Sequence, residues 1–166
     1  MDSIRKVFKH LKGILTFSVI TMNTLFWFVP LIIFAILKLL VPLTSFRRVM
    51  TRWIMAMGEN WVSMNARILA LGNSTEWDVR GLDRLSRRDW YLVIVNHQTW
   101  TDIVALQTVL NRRIPFLKFF IKQQLIWFPV LGVAWWAMDM PFMKRYSKSY
   151  LARHPEKKGE DLEATR

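Results

Sequence analysis

The chain contains no cysteine and only three histidines, His10, His97 and His154. These shortages exclude a disulfide framework, a thiolate metal site and a cysteine nucleophile, and they argue against a multi-histidine metal centre. Acidic residues are also scarce, with 12 Asp and Glu against 24 Lys and Arg and a net charge of +12. Charge of either sign is missing altogether from Gly13 to Leu37. Apolar surface is abundant: 52% of residues are hydrophobic, with nine tryptophans and eleven phenylalanines. Apolar residues need burial and a basic excess needs an acidic counterpart. An anionic membrane surface supplies both, and aromatic rings collect at bilayer interfaces. Nucleic acid is the other polyanion. However, the basic residues are scattered and no recognition motif accompanies them, so no nucleic-acid partner is expected.

A length of 166 residues suits one modest domain. The uncharged run from Gly13 to Leu37 exceeds the roughly 20 apolar residues that cross a hydrocarbon core as a helix. It is too long for the apolar part of a signal peptide, and no small-x-small cleavage pattern follows it. Pro30 is expected to kink or divide this helix. Arg5, Lys6, Lys9 and Lys12 precede the run, and Lys38, Arg47, Arg48 and Arg52 follow it. Basic flanks on both sides give no orientation for a single span. A hairpin entering and leaving the same leaflet satisfies both, which puts the N-terminus and the rest of the chain on one side. From Arg47 to Leu71, Trp53, Ile54, Met57, Trp61, Met64, Ile68 and Leu71 recur at helical spacing, with Arg52, Glu59, Asn60, Ser63 and Arg67 opposite. This is an amphipathic helix, either interfacial and partnered with the first or a core helix of the domain after it.

The period changes after Gly72, Asn73 and Ser74. Trp77 to Arg80 reads as a short strand. Trp90 to Val95 (W-Y-L-V-I-V) reads as a strand buried on both faces. Thr101 to Leu110 is helical, Leu117 to Lys122 and Met140 to Met143 are further strand candidates, and a charged helix or tail begins at Ser147. The pattern is α/β. The expected organisation is a membrane-embedded two-helix region over residues 1–72 and an α/β domain over 73–166.

The chemistry concentrates in Asn96-His97-Gln98-Thr99-Trp100-Thr101-Asp102, where the apolar strand ends and a helix begins. Functional groups gather at such strand ends. An imidazole accepts a proton near neutral pH, and a carboxylate on its other nitrogen fixes the tautomer. The bland alternative is a hydrogen-bonded structural histidine beside an aspartate that only caps a helix.

The block N-H-Q-T-W-T-D resembles the H-x4-D block of the glycerolipid and lysophospholipid acyltransferase family. Its surroundings agree: the apolar strand before it, the Val79-Arg80-Gly81 element, and Met140-Pro141-Phe142-Met143-Lys144-Arg145, which is similar to the family's second block. Lys122-Gln123-Gln124-Leu125 and the Met138 to Arg145 stretch look most like bacterial inner-membrane acyltransferases of the YihG type. The resemblance implies an acyltransferase-type α/β domain that moves an acyl chain from acyl-CoA or acyl-carrier protein to a lysophospholipid such as 1-acyl-glycerol-3-phosphate. It implies His97 as general base, Asp102 as the residue that orients it, and Asn96 and Thr99 as block residues near the substrate. Thr99 stands where serine is more usual. Arg145, with Lys144 beside it, is implied to hold the acceptor phosphate. No cofactor and no metal are implied. The expected location is the bacterial inner membrane, with the catalytic part facing the cytoplasm. The family's Glu-Gly-x-Arg third block and proline-containing fourth block have no counterpart; Glu163-Ala164-Thr165-Arg166 is similar only superficially. The expectation is therefore an incomplete domain, and the alternative function is a catalytically inert membrane protein that retains the first half of the fold.

Overall fold

A computed structural model describes residues 2–72, 75–144, 146, 148–157 and 159. The described residues are mostly helical. Helix α1 spans Asp2–Leu40 and α2 spans Thr44–Gly72, joined by Val41, Pro42 and Leu43. Then come α3 (Trp100–Leu110), β1 (Ile121–Lys122), α4 (Leu131–Ala137), β2 (Phe142–Met143) and α5 (Lys148–Arg153), with short 3-10 turns at Leu82–Arg84, Gln123–Trp127 and Pro155–Lys157.

Helix α1 is long and apolar enough to cross a membrane from Ile4 to Leu40. Its 39 residues correspond to a rod of roughly 58 Å at about 1.5 Å per residue. Pro30 lies inside this helix and does not divide it. Proline removes one backbone donor, which a long helix with intact neighbouring turns tolerates.

The chain forms two compact units, residues 1–30 with 55–117 and residues 31–54 with 118–166. In the first unit α1 and α2 run antiparallel. The Asn23 side-chain amide donates to the Asn65 Oδ1 at 2.9 Å and to the Trp61 carbonyl at 3.2 Å. The Trp61 indole N–H donates to Thr24 Oγ1 at 3.1 Å. Nearer the start of α1, Gly72 faces Thr16: a Cβ on Gly72 would sit 3.1 Å from Thr16 Oγ1. These polar links help fix the register of α1 against α2. Part of the polar side of α2 is docked rather than solvated, while Arg52 and Arg67 stay exposed. Glu59 is 8% exposed and pairs with Arg87, Asn60 accepts from Arg112, and the Asn111 amide donates to the Glu59 carbonyl at 3.0 Å and to Ser63 Oγ at 2.9 Å. Met57, Val62 and Ile114 are buried in this unit.

In the second unit Phe34 and Trp53 meet with ring centroids 6.2 Å apart, and Leu31, Ala35, Met50 and Ile54 are buried. The sheet is a parallel pair of two-residue strands, Ile121 opposite Phe142 and Lys122 opposite Met143. Gly132 packs so closely that a Cβ would stand 2.1 Å from the Ile126 carbonyl oxygen, which only glycine permits. Strand structure among the described residues is confined to β1 and β2, inside the two stretches expected at 117–122 and 140–143. The expected strands at 77–80 and 90–95 have no ladder partner there. Trp90, Leu92 and Ile94 are 97%, 81% and 86% exposed, while Tyr91, Val93 and Val95 are less than half as exposed. The expectation that Trp90 to Val95 is buried on both faces is therefore not met: the segment is extended, with exposure alternating along it, but it is exposed throughout and unpaired among the described residues.

Candidate active site

Helix α3 begins at Trp100, immediately after the Asn96–Thr99 segment. The first turn of a helix presents N–H groups without internal partners, and Asp102 answers that need. Its Oδ2 accepts from the backbone N–H of Thr99 and of Gln98, each at 2.6 Å. The Thr99 hydroxyl donates to Oδ1 at 3.4 Å, and the Asp102 N–H returns to the Thr99 carbonyl at 3.1 Å. The carboxylate is thereby held against a rigid turn. The His97 backbone is fixed from the other direction, its main-chain N–H donating to the Val95 carbonyl at 2.9 Å. The result places His97 Nδ1 3.5 Å from Asp102 Oδ2.

Asp102 is held below the ordinary carboxylate range, first by the Thr99 amide and then by the Gln98 amide, with His97 the smallest contributor. The order has a chemical meaning. The carboxylate stays ionised whether or not the imidazole is protonated, because backbone dipoles supply most of its stabilisation. At 54% side-chain exposure the ring is accessible to a reactant. Nδ1 faces the carboxylate, which leaves Nε2 for chemistry. The arrangement can hold one tautomer, accept a proton at Nε2, and stabilise the resulting imidazolium.

Of the residues singled out in the sequence, His97, Thr99 and Asp102 are brought together. Asn96 is exposed beside them. Lys144 directly follows β2 in the second unit and is exposed. Arg145 lies outside the described residues. Sequence reasoning did not single out Gln98, whose backbone N–H shares the Asp102 oxygen. The signal was present in Thr99-x-x-Asp102, a helix-start pattern that predicts a carboxylate folded back on the preceding amides.

The Acyltransferase family model matches residues 76–166, which contain this site. The chain belongs to the acyltransferase family. No curated protein and no solved structure matches it.

Proposed function

We propose that the protein transfers an acyl chain from acyl-CoA or acyl-carrier protein to the hydroxyl of a lysophospholipid such as 1-acyl-glycerol-3-phosphate, in phospholipid biosynthesis or remodelling. The observation that carries this reading is the His97–Asp102 pair, 3.5 Å apart at the start of α3 and inside the acyltransferase region. In this scheme His97 Nε2 removes the acceptor hydroxyl proton as the oxygen attacks the thioester carbonyl. The tetrahedral intermediate collapses, the C–S bond breaks, and the imidazolium returns the proton to the departing thiolate. An ester forms and a thiol is released, with no cofactor or metal required. Asp102 holds the ring and offsets its charge, Asn96 and Thr99 border the acceptor, and Arg145 with Lys144 holds its phosphate.

We place the protein among bacterial inner-membrane acyltransferases of the YihG type, with residues 1–72 as the membrane-embedded part, residues 73–166 as an acyltransferase-type α/β domain, and the site facing the cytoplasm. The apolar length of α1 supports the membrane assignment. The two-residue periodicity of exposure from Trp90 to Val95 supports a strand at that position. The same residues favour a second reading, a catalytically inert membrane protein, because among the described residues this apolar segment pairs with no strand. One assay separates the two. Detergent-purified chain is incubated with lysophosphatidic acid and either labelled acyl-CoA or labelled acyl-carrier-protein thioester. Turnover that disappears in His97→Ala supports the first reading; none with either donor supports the second.

A further inference from the structure

The first two turns of α2 carry a basic face that the proposed acyl transfer does not use. Thr44, Arg47, Arg48, Thr51 and Arg52 lie at helical spacing on one side of α2 and line a shallow, open groove. All three arginines are exposed, and none has an ion-pair or hydrogen-bond partner among the described residues. The sequence offers them little: no acidic residue occurs between Asp2 and Glu59. Glu59 is engaged by Arg87, and the neighbouring cation Lys38 is already paired with Asp139. No acidic residue stands in the first turn of α2, so the positive end of the helix dipole adds to the same potential. Like charges one turn apart on a helix repel each other. An external anion would relieve that repulsion. Guanidinium forks match phosphate oxygens in pairs, and hydroxyls beside them add neutral donors.

The surroundings narrow the source of the phosphate. Leu39, Leu40 and Leu43 at the connection between the helices, and Val49 in the second turn of α2, are 58%, 71%, 66% and 42% exposed. Three unpaired guanidiniums cannot rest in hydrocarbon. Whether the helix pair spans the bilayer or lies along it, this end therefore sits at headgroup depth, with its leucines toward the acyl chains. We propose that the groove lined by Thr44, Arg47, Arg48, Thr51 and Arg52 binds the phosphate of an anionic phospholipid headgroup. The inference rests on the membrane assignment of α1 and is independent of the chemistry at His97.

The test uses the full chain in a nonionic detergent, titrated calorimetrically with short-chain phosphatidylglycerol, short-chain phosphatidylcholine and inorganic phosphate. Wild type is expected to bind phosphatidylglycerol about tenfold more tightly than either alternative, the worth of roughly one charge-assisted contact. The triple variant Arg47→Gln, Arg48→Gln, Arg52→Gln should lose that preference. So should Arg47→Lys, Arg48→Lys, Arg52→Lys, which keeps the charge and removes the forks. A control that removes three charges from the start of α1, Arg5→Gln, Lys6→Gln and Lys9→Gln, should retain it. Full preference in the lysine variant would mean diffuse attraction and would overturn the site. Inorganic phosphate binding as tightly as phosphatidylglycerol would overturn the lipid source. Flotation with phosphatidylcholine vesicles tests the membrane assignment separately: it should be the same for all variants, and its failure in wild type would sink that assignment rather than the arginine comparison.

Discussion

Lys38 Nζ stands 2.7 Å from both Oδ1 and Oδ2 of Asp139, linking the last turn of α1 to the residue pair before Pro141, 101 positions later in the chain. The two partners are unequally placed: the lysine side chain is 12% exposed and the aspartate 49%. Asp139 also holds a positive φ of 54°, a conformation aspartate tolerates better than most residues. The burial asymmetry predicts unequal costs. Asp139→Ala leaves a nearly buried ammonium without its anion and should destabilise by about 1–3 kcal/mol. Lys38→Met leaves only a half-exposed carboxylate, free to take up water, and should cost about 1 kcal/mol or less. Thermal unfolding of the two variants in the same detergent would show the order; a larger loss in Lys38→Met contradicts it.

Asp102 supplies a pH prediction with a definite sign. Its folded pKa lies below the ordinary value of 3.8, so its contribution to stability is fully present above that value and is lost as pH falls through the lower folded one. Because the Thr99 and Gln98 amides dominate the shift, those two N–H groups should report the titration. Their amide resonances are expected to move together, with a midpoint below 3.8. In Asp102→Asn the movement should vanish. A midpoint above 3.8 would mean that the carboxylate is not held by these amides.

The helices were legible in the sequence because their cause is local. The uncharged run and the three-and-four spacing of Trp53, Met57, Trp61 and Met64 specify α1 and α2 without reference to the rest of the chain, and α3 begins one residue before the expected Thr101. The His97–Asp102 proximity arises from one helix start. Strands are another matter. Whether Trp90 to Val95 becomes a ladder depends on a partner remote in sequence, which periodicity within the segment does not specify. The ion pair between Lys38 and Asp139 and the docking of Asn111 on Glu59 and Ser63 are likewise non-local. The amphipathic pattern only puts Glu59 on the polar side of α2; its burial depends on Arg87 and Asn111, which reach it from elsewhere in the chain.

The absence of cysteine makes topology testable by single introduced thiols. The basic flanks of α1 lead to the expectation that the N-terminus and the acyltransferase region share one side of the membrane. In the first unit, Thr16 of α1 faces Gly72 at the end of α2. Ser3→Cys and Glu160→Cys should therefore respond alike to an impermeant thiol reagent in intact cells, both protected if that side is the cytoplasm. Labelling of one and protection of the other would exclude the hairpin.

The last prediction separates the two members of the His97–Asp102 pair. His97→Ala removes the group proposed to take the acceptor proton. The other histidines, His10 and His154, lie far from it in sequence, in α1 and beyond α5. Loss of a general base typically lowers turnover about 100- to 10,000-fold. Asp102→Asn keeps a carbonyl oxygen that can accept from the Thr99 or Gln98 amide, so the start of α3 should persist. It removes the negative charge that favours an imidazolium, and the side-chain amide can turn a donor toward Nδ1, favouring the wrong tautomer. This variant should therefore lose turnover substantially, with unchanged helical content by circular dichroism and unchanged binding to phosphatidylcholine vesicles. Near-normal turnover in His97→Ala would remove the proposed base. Turnover lost in Asp102→Asn together with helical content would reduce the aspartate to a helix cap.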